Sequence, residues 1–221
     1  MKCVLIAPPF SDVYGNFKSI MKYGFLNPPL GLCYLEASLK QAGHQALVLD
    51  CEAQGLNLAR IEEIIHRERP DLIGITATSP EMHNAVAIAS GLKARVSTPI
   101  VLGGVHATIF KEQVLEDHPC FDFAVIGEGE EVIVELLEGL LRPQDYDKIQ
   151  GLIYRRNGKI VQNPLRPLLQ NLDTLPFPDR RDVPPSLYFR SVPRLGHRVT
   201  AAFMSSRGCP CQPRTVTTSR A

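Results

Sequence analysis

The chain has 221 residues, 44% hydrophobic and 21% charged, with 24 Lys+Arg against 23 Asp+Glu for a formal net charge of +1. This is the composition of a globular protein with room for one full domain and an appendage. The charge balance argues against a nucleic-acid or acidic-membrane partner, and no apolar run approaches the ~20 residues that cross a bilayer.

In chain order, "CVLIAPP" (3–9) reads as a first, buried strand and "PLGLCYLEASLKQAG" (29–43) as a helix. In that helix Leu32, Leu35 and Leu39 recur at three- and four-residue steps, and Gly43 ends it. "HQALVLD" (44–50) is a second strand, and "NLARIEEIIHRERP" (57–70) a helix stopped by Pro70. "DLIGITAT" (71–78) is a third strand. It is followed by a helix over 79–96 with Ser79 as N-cap, Pro80 at the first position and Glu81 in the first turn. "PIVLGG" (99–104) and "DFAVIG" (122–127) are further strands, with helices predicted over 108–117 and 130–141. "GLIYRRNGKIVQNP" (151–164) reads as a hairpin about Asn157-Gly158. The stretch after it has seven prolines between 164 and 193 and reads as an extended linker.

Five near-continuous apolar strands alternating with helices imply an α/β fold. The predicted architecture is a doubly wound five-stranded parallel sheet of the flavodoxin-like, Rossmann-type class, followed by a β-hairpin and a proline-rich linker. Four of the six cysteines, at 3, 33, 51 and 120, fall in or beside apolar elements, where a reduced cysteine acts as a small hydrophobe. A disulfide framework is not expected, and the location expected is cytoplasmic.

Ligands of such sheets bind outside the carboxyl ends of the strands. The first strand is followed by some twenty residues of loop without G-x-G-x-x-G, so the dinucleotide fingerprint is missing where it belongs. Phe10, Tyr14, Phe17, Tyr23 and Phe25 in this loop suit packing over a large flat ligand, or on the domain itself. The later strands end in "DCEAQG" (50–55), "GGVHAT" (103–108) and "GEGEE" (127–131). Glycines at these turns let backbone approach a ligand closely.

The strings "NPPLGLCYLEASLKQAGHQALVLD", "DLIGITATS", "PIVLGGVHAT" and "DFAVIGEGEE" together resemble the cobalamin-binding domain that precedes the catalytic domain of cobalamin-dependent radical SAM enzymes. The resemblance covers residues 1–142. It extends through the hairpin and linker (143–198), with "LDTLPFPDR" at 172–180, to "SSRGCP" (205–210), which matches the start of the family's cluster-binding strand. It implies a cobalamin site at Thr76, Ser79, Gly103, Gly104, Val105, Gly127, Glu128 and Gly129, with Asp50 and Gly55 also counted as cofactor-binding. Glu128 is then an acceptor for corrin amides, and Gly103-Gly104 lies beside the nucleotide tail. An iron–sulfur cluster and S-adenosylmethionine belong to the complete parent enzyme only, whose reaction is methyl transfer or related radical chemistry.

Two departures qualify what is implied. The cluster loop of the family takes three cysteines, whereas here Cys209 is followed by Cys211 and no third. Cys209 is the one candidate metal ligand, in an incomplete motif. The sequence reads as stopping at the start of the radical SAM domain, with 199–221 disordered and no turnover expected. A related set of cobalamin domains carries D-x-H-x-x-G, whose histidine ligates cobalt. Here Asp50 and Gly55 align with it, but Glu52 stands at the histidine position. No histidine ligation of cobalt is therefore expected, and Glu52 is read as a solvated loop carboxylate. The alternative function is a non-catalytic small-molecule-binding or sensor module of the same fold.

Overall fold

The computed structural model describes residues 1–17 and 26–188, with 202, 204, 206 and 207. The strands are β1 (Lys2–Ala7), β2 (Gln45–Asp50), β3 (Leu72–Thr76), β4 (Ile100–Gly103), β5 (Phe123–Val125), β6 (Leu152–Arg156) and β7 (Lys159–Gln162). They form one sheet in the order β2-β1-β3-β4-β5-β6-β7. Pairings from β2 to β5 are parallel, and those of β5 with β6 and β6 with β7 are antiparallel.

The doubly wound parallel part is the one predicted. The sheet, however, does not stop at five strands, because the hairpin continues it. An uncovered β5 would leave a row of backbone donors and acceptors at an apolar edge. Leu152, Ile153 and Tyr154 pair with Val125, Ala124 and Phe123 and fill that edge. The two-residue turn has Asn157 at φ 52° and Gly158 at φ 75°, the left-handed pair that a tight hairpin requires.

The helices are α1 (Leu30–Gln41), α2 (Cys51–Gln54), α3 (Leu58–Glu68), α4 (Met82–Lys93), α5 (Val105–Phe110), α6 (Glu112–Asp117) and α7 (Glu130–Gly139). Strand residues alternate between two cores. Val4, Ile6, Ile73 and Ile75 pack with Ile61 and Ile65 of α3 and Ala85 and Leu92 of α4. Cys3, Leu5 and Val101 pack on the other face with Leu32 and Leu39 of α1 and Ile133 and Leu136 of α7.

Several local expectations are corrected. α4 begins at Met82, not at Ser79. Its N-cap residue Glu81 makes no side-chain cap bond, and Glu81 instead accepts from the Thr78 N–H at 2.9 Å. The helix expected over 108–117 is two short ones that meet at Lys111, which adopts φ 50°. The short α2, not anticipated, is capped by Asp50, whose carboxylate accepts from Ala53 N at 2.9 Å.

The proline-rich stretch is not a loose linker. After β7 at one sheet edge it returns to β2 at the other. Asp179 N donates to Cys33 O at 3.1 Å, and Asp182 accepts from Val48 N at 2.9 Å. Val183 and Tyr188 are buried in the core of the α1/α7 face, and the Tyr188 hydroxyl donates to Asp50 at 2.7 Å. Cys3, Cys33, Cys51 and Cys120 are free thiols. Burial pushes the pKa of Cys33 up to about 11 and of Cys51 up to about 12, which keeps both protonated and inert. No described helix is long and apolar enough to cross a membrane.

Candidate functional site

The chain leaves β1 for β2 on one side and returns through β3 on the other, so the strand order reverses at the β1/β3 boundary. Open α/β sheets bind ligands at the carboxyl end of that boundary. At this point Leu5 of β1, Gly74 of β3 and Val101 of β4 lie side by side in register. A cavity of about 540 Å³ occupies the layer between these residues and Leu32 and Leu35 of α1 and Ile133 of α7. Gly74 places bare backbone on its wall. A Cβ there would sit 2.8 Å from Leu5 Cδ2, so Leu5 leans over the space that a larger residue would take.

The rim is built from strand ends. Thr76 and Gly103 are register partners at the ends of β3 and β4. At Gly103 an added Cβ would meet nothing within 4 Å. Its neighbour Gly104 has φ 94° and ψ −172°, a region open essentially to glycine alone. A Cβ at Gly104 would fall 2.7 Å from Thr76 Oγ1 and 2.9 Å from Ala77 O. One glycine therefore keeps the mouth open while the other lets the chain turn into α5. Across the mouth stand Gly127, Glu128, Gly129 and Glu130, where β5 hands over to α7. Thr108 ties the two sides: its hydroxyl donates to Gly104 O at 3.1 Å and accepts from Gly127 N at 3.1 Å.

The structure thus brings Thr76, Gly103, Gly104, Val105, Gly127, Glu128 and Gly129 together around one cavity. Ser79 lies outside it, with its hydroxyl 3.1 Å from His106 Nδ1. Asp50 and Gly55 do not border the cavity either. Asp50 caps α2 and accepts from Tyr188, and Gly55 ends α2 at φ 63°. Burial raises the Asp50 pKa against the opposing Ala53 N–H and Tyr188 hydroxyl.

Glu52 is not solvated. It is buried, its Oε2 accepts from the backbone N–H of Phe10 and Ser11 at 3.2 and 3.1 Å, and its Oε1 accepts from Ser11 Oγ at 2.9 Å. It anchors the long first loop. Of the aromatic residues expected over a ligand, Phe10 packs against the α1/α7 core. Tyr23 and Phe25, like the Tyr14 and Phe17 side chains, lie outside the described residues, as does Cys209. Among the described residues no group of three or more His, Cys, Asp and Glu side chains is arranged to hold a metal ion.

Two parts of the site carried little local signal. Gly74 was marked only by its place inside an apolar strand, where glycine commonly permits close approach. Thr108 lay at the end of a glycine string with nothing to indicate its partners. Glu128, expected as an acceptor for corrin amides, stands on the rim, but its two oxygens already accept from distant segments, from Leu169 N at 2.7 Å and Arg207 Nη1 at 3.1 Å.

Residues 19–137 match the B12 binding domain family. The chain belongs to that family. This B12-binding domain is 36% identical over 211 residues to the uncharacterized methyltransferase PH0819 of Pyrococcus horikoshii, covering 95% of this chain and 44% of that protein. It is 30% identical over 187 residues to the anaerobic magnesium-protoporphyrin IX monomethyl ester cyclase of a Synechocystis species, covering 83% and 36%. The B12-binding domain chain therefore spans less than half the length of these relatives. In fold it resembles the cobalamin-dependent S-adenosylmethionine radical enzyme OxsB with aqua-cobalamin bound (TM-score 0.70, 19% identity, 84% of this chain, 25% of that one). It also resembles the radical S-adenosylmethionine methyltransferase TsrM from Kitasatospora setae with cobalamin and a 4Fe-4S cluster bound (TM-score 0.62, 20% identity, 79% and 30%).

Proposed function

We propose that this chain binds cobalamin at the carboxyl edge of its sheet and serves as the cobalamin module of a radical S-adenosylmethionine enzyme that transfers a methyl group or performs related radical chemistry. The observation that carries the reading is the bare backbone at Gly103, which faces open space above a largely apolar cavity at the strand-order reversal. The residues fit the group. A cavity of about 540 Å³ would hold one arm of so large a cofactor, the nucleotide tail, with the glycine turns at its mouth. When bound, cobalamin supplies a cobalt-held methyl group or an electron-transfer centre.

The chain's own residues bind and orient. Leu5, Val101, Leu35 and Ile133 give the tail an apolar sleeve and keep water out of it. Thr76 offers a hydroxyl at the mouth, and Thr108 fixes the spacing of the two rim turns. Glu52, at the position where related domains place a ligating histidine, is committed to the first loop, which supports a cobalt without histidine ligation from that position. The binding unit is proposed to extend past residue 142, since β6 and β7 belong to its sheet. Binding, not turnover, is assigned to these 221 residues, because the region resembling the cluster loop holds two cysteines, Cys209 and Cys211, where a site-differentiated cluster takes three.

The test is incubation with hydroxocobalamin, gel filtration and the UV–visible spectrum of the protein fraction. A coloured protein with a stoichiometry near one, and a spectrum unchanged on replacing any histidine, is expected. Protein that elutes colourless overturns the reading.

A further inference from the structure

The first loop leaves β1 between its two neighbours in the sheet, β2 and β3, and the element that follows each neighbour grips it. From the β2 side, Glu52 of α2 accepts from Phe10 N at 3.2 Å, Ser11 N at 3.1 Å and Ser11 Oγ at 2.9 Å. From the β3 side, Asn84 in the first turn of α4 donates twice through Nδ2, to Pro9 O at 2.8 Å and to Asp12 Oδ1 at 2.9 Å. Residues 9–12 thus carry five bonds to two helices, and Val13 N closes the turn on Phe10 O at 3.3 Å. Ser11 is 1% exposed and Glu52 6%, so this polar grip lies in the protein interior. A surface loop needs none of it, because water satisfies exposed backbone. Both ends of the loop meet the cavity: Leu5 of β1 and Pro29, just before α1, stand on its wall.

We infer that Glu52 and Asn84 are positioning residues of the ligand site: from opposite sides of the strand-order reversal they hold residues 9–12 in the arrangement that the cofactor meets. Ordering a loop at the moment of binding lowers affinity, so a loop root fixed beforehand raises it. The two side chains suit complementary tasks. A carboxylate only accepts, and its two oxygens take three donors, whereas a carboxamide there would turn an N–H toward N–H groups. The Asn84 amide has two hydrogens, and they meet a carbonyl and a carboxylate. The inference rests on the cobalamin reading and extends it to two residues that do not border the cavity. It also has a reciprocal consequence. If the clamp readies the loop for the cofactor, the bound cofactor must steady the loop when the clamp is cut, because coupling between two equilibria acts in both directions. A clamp that served the fold alone would show no such return effect.

The test is hydrogen exchange of the Phe10, Ser11 and Val13 amides, each a donor in one of these bonds, in the full chain and in Asn84→Ala and Glu52→Gln, without ligand and with excess hydroxocobalamin. Without ligand, exchange about tenfold faster in both variants than in the parent is expected, with the β1 and β3 amides unmoved as the folding control. Both variants should release hydroxocobalamin about fivefold faster than the parent, and in the loaded variants slow exchange of the three amides should return. Asn84→Ala leaves the Glu52 bonds in place, so it keeps the test open should Glu52→Gln fail to fold. Ligand-free exchange that is equal in the parent and the variants overturns the clamp. Variants that release hydroxocobalamin as the parent does, or whose three amides exchange as fast loaded as empty, overturn its positioning role. A parent that takes up no hydroxocobalamin overturns the cofactor reading and the positioning role with it, while the ligand-free comparison still decides whether the clamp exists.

Discussion

At Gly103 and Gly104, adjacent glycines are required for different reasons, and substitution separates them. Gly103 has ordinary backbone and no atom within 4 Å of an added Cβ, so a leucine there projects into empty space. Gly103→Leu should leave the thermal midpoint nearly unchanged, within ~0.5 kcal/mol, while abolishing hydroxocobalamin uptake in gel filtration. Gly104→Ala should act on the fold. Its φ of 94° is strained for any side chain, and its Cβ would press on Thr76 Oγ1 and on the fixed carbonyl of Ala77. A loss of about 1–3 kcal/mol in denaturant unfolding is expected. If Gly103→Leu binds as the parent does, the cavity does not hold the cofactor. If Gly104→Ala is as stable as the parent, the turn is not strained.

Among the elements, the hairpin decides where the folding unit ends. Tyr154 of β6 is 1% exposed and pairs with Phe123 of β5. Its ring meets Tyr146 edge-on at 5.5 Å, and Tyr146 in turn meets Phe123 at 5.3 Å. Tyr154→Ala should therefore lower the stability of the whole sheet by about 3–5 kcal/mol in a single transition, followed by circular dichroism in urea. An early transition confined to the hairpin, with the main one unmoved, would show that β6 and β7 are an independent appendage. The strands themselves were legible because buried parallel strands are runs of apolar residues, and Asn157-Gly158 announced its turn. Which edge the hairpin joins was not legible, since alternation marks a strand but not its neighbour. Helix starts were misplaced for a related reason. Ser79 and Pro80 make a good local signal, yet the Ser79 hydroxyl lies 3.1 Å from His106 Nδ1 instead of capping α4. In the site, the glycines were legible because strand-end turns restrict residue type. Thr108, Glu128 and Arg207 act through partners 19 to 79 residues away, and no local pattern encodes such pairings.

For the molecule as a whole, the strap that runs back from β7 to β2 makes stability depend on pH through one carboxyl. Glu36 on α1 is fully buried beneath it, bonded to Lys40, which also donates to Asp179 of the strap at 2.9 Å. Burial, with the Asp182 carboxylate beside it, pushes the Glu36 pKa up to about 8 in spite of Lys40. A carboxyl raised in the folded state binds its proton there while the unfolded chain, near 4.5, has already released it. Stability should consequently fall as pH rises from about 4.5 to about 8, and level off above. Asp179 acts in the opposite sense and in a different window. Arg181 first, then Lys40, hold its pKa well below the usual carboxylate range, so its contribution is intact above about pH 4 and is lost only in acid. Between pH 5 and 8 Glu36 sets a falling slope, to which Asp50, also raised by burial, adds and which His106, lowered by burial, opposes, so the Glu36 share is read from its own variant. Glu36→Gln keeps the shape, removes the buried ionisation and should flatten the slope, leaving the variant more stable than the parent at pH 8 by ~1 kcal/mol or more. Urea midpoints at pH 5, 6.5 and 8 measure it directly. A parent protein whose midpoint rises across that range, or a variant with the parent's slope, would mean that the strap does not keep Glu36 dry and that residues 164–188 are held to α1 more loosely than their contacts with Cys33, Lys40 and Val48 imply.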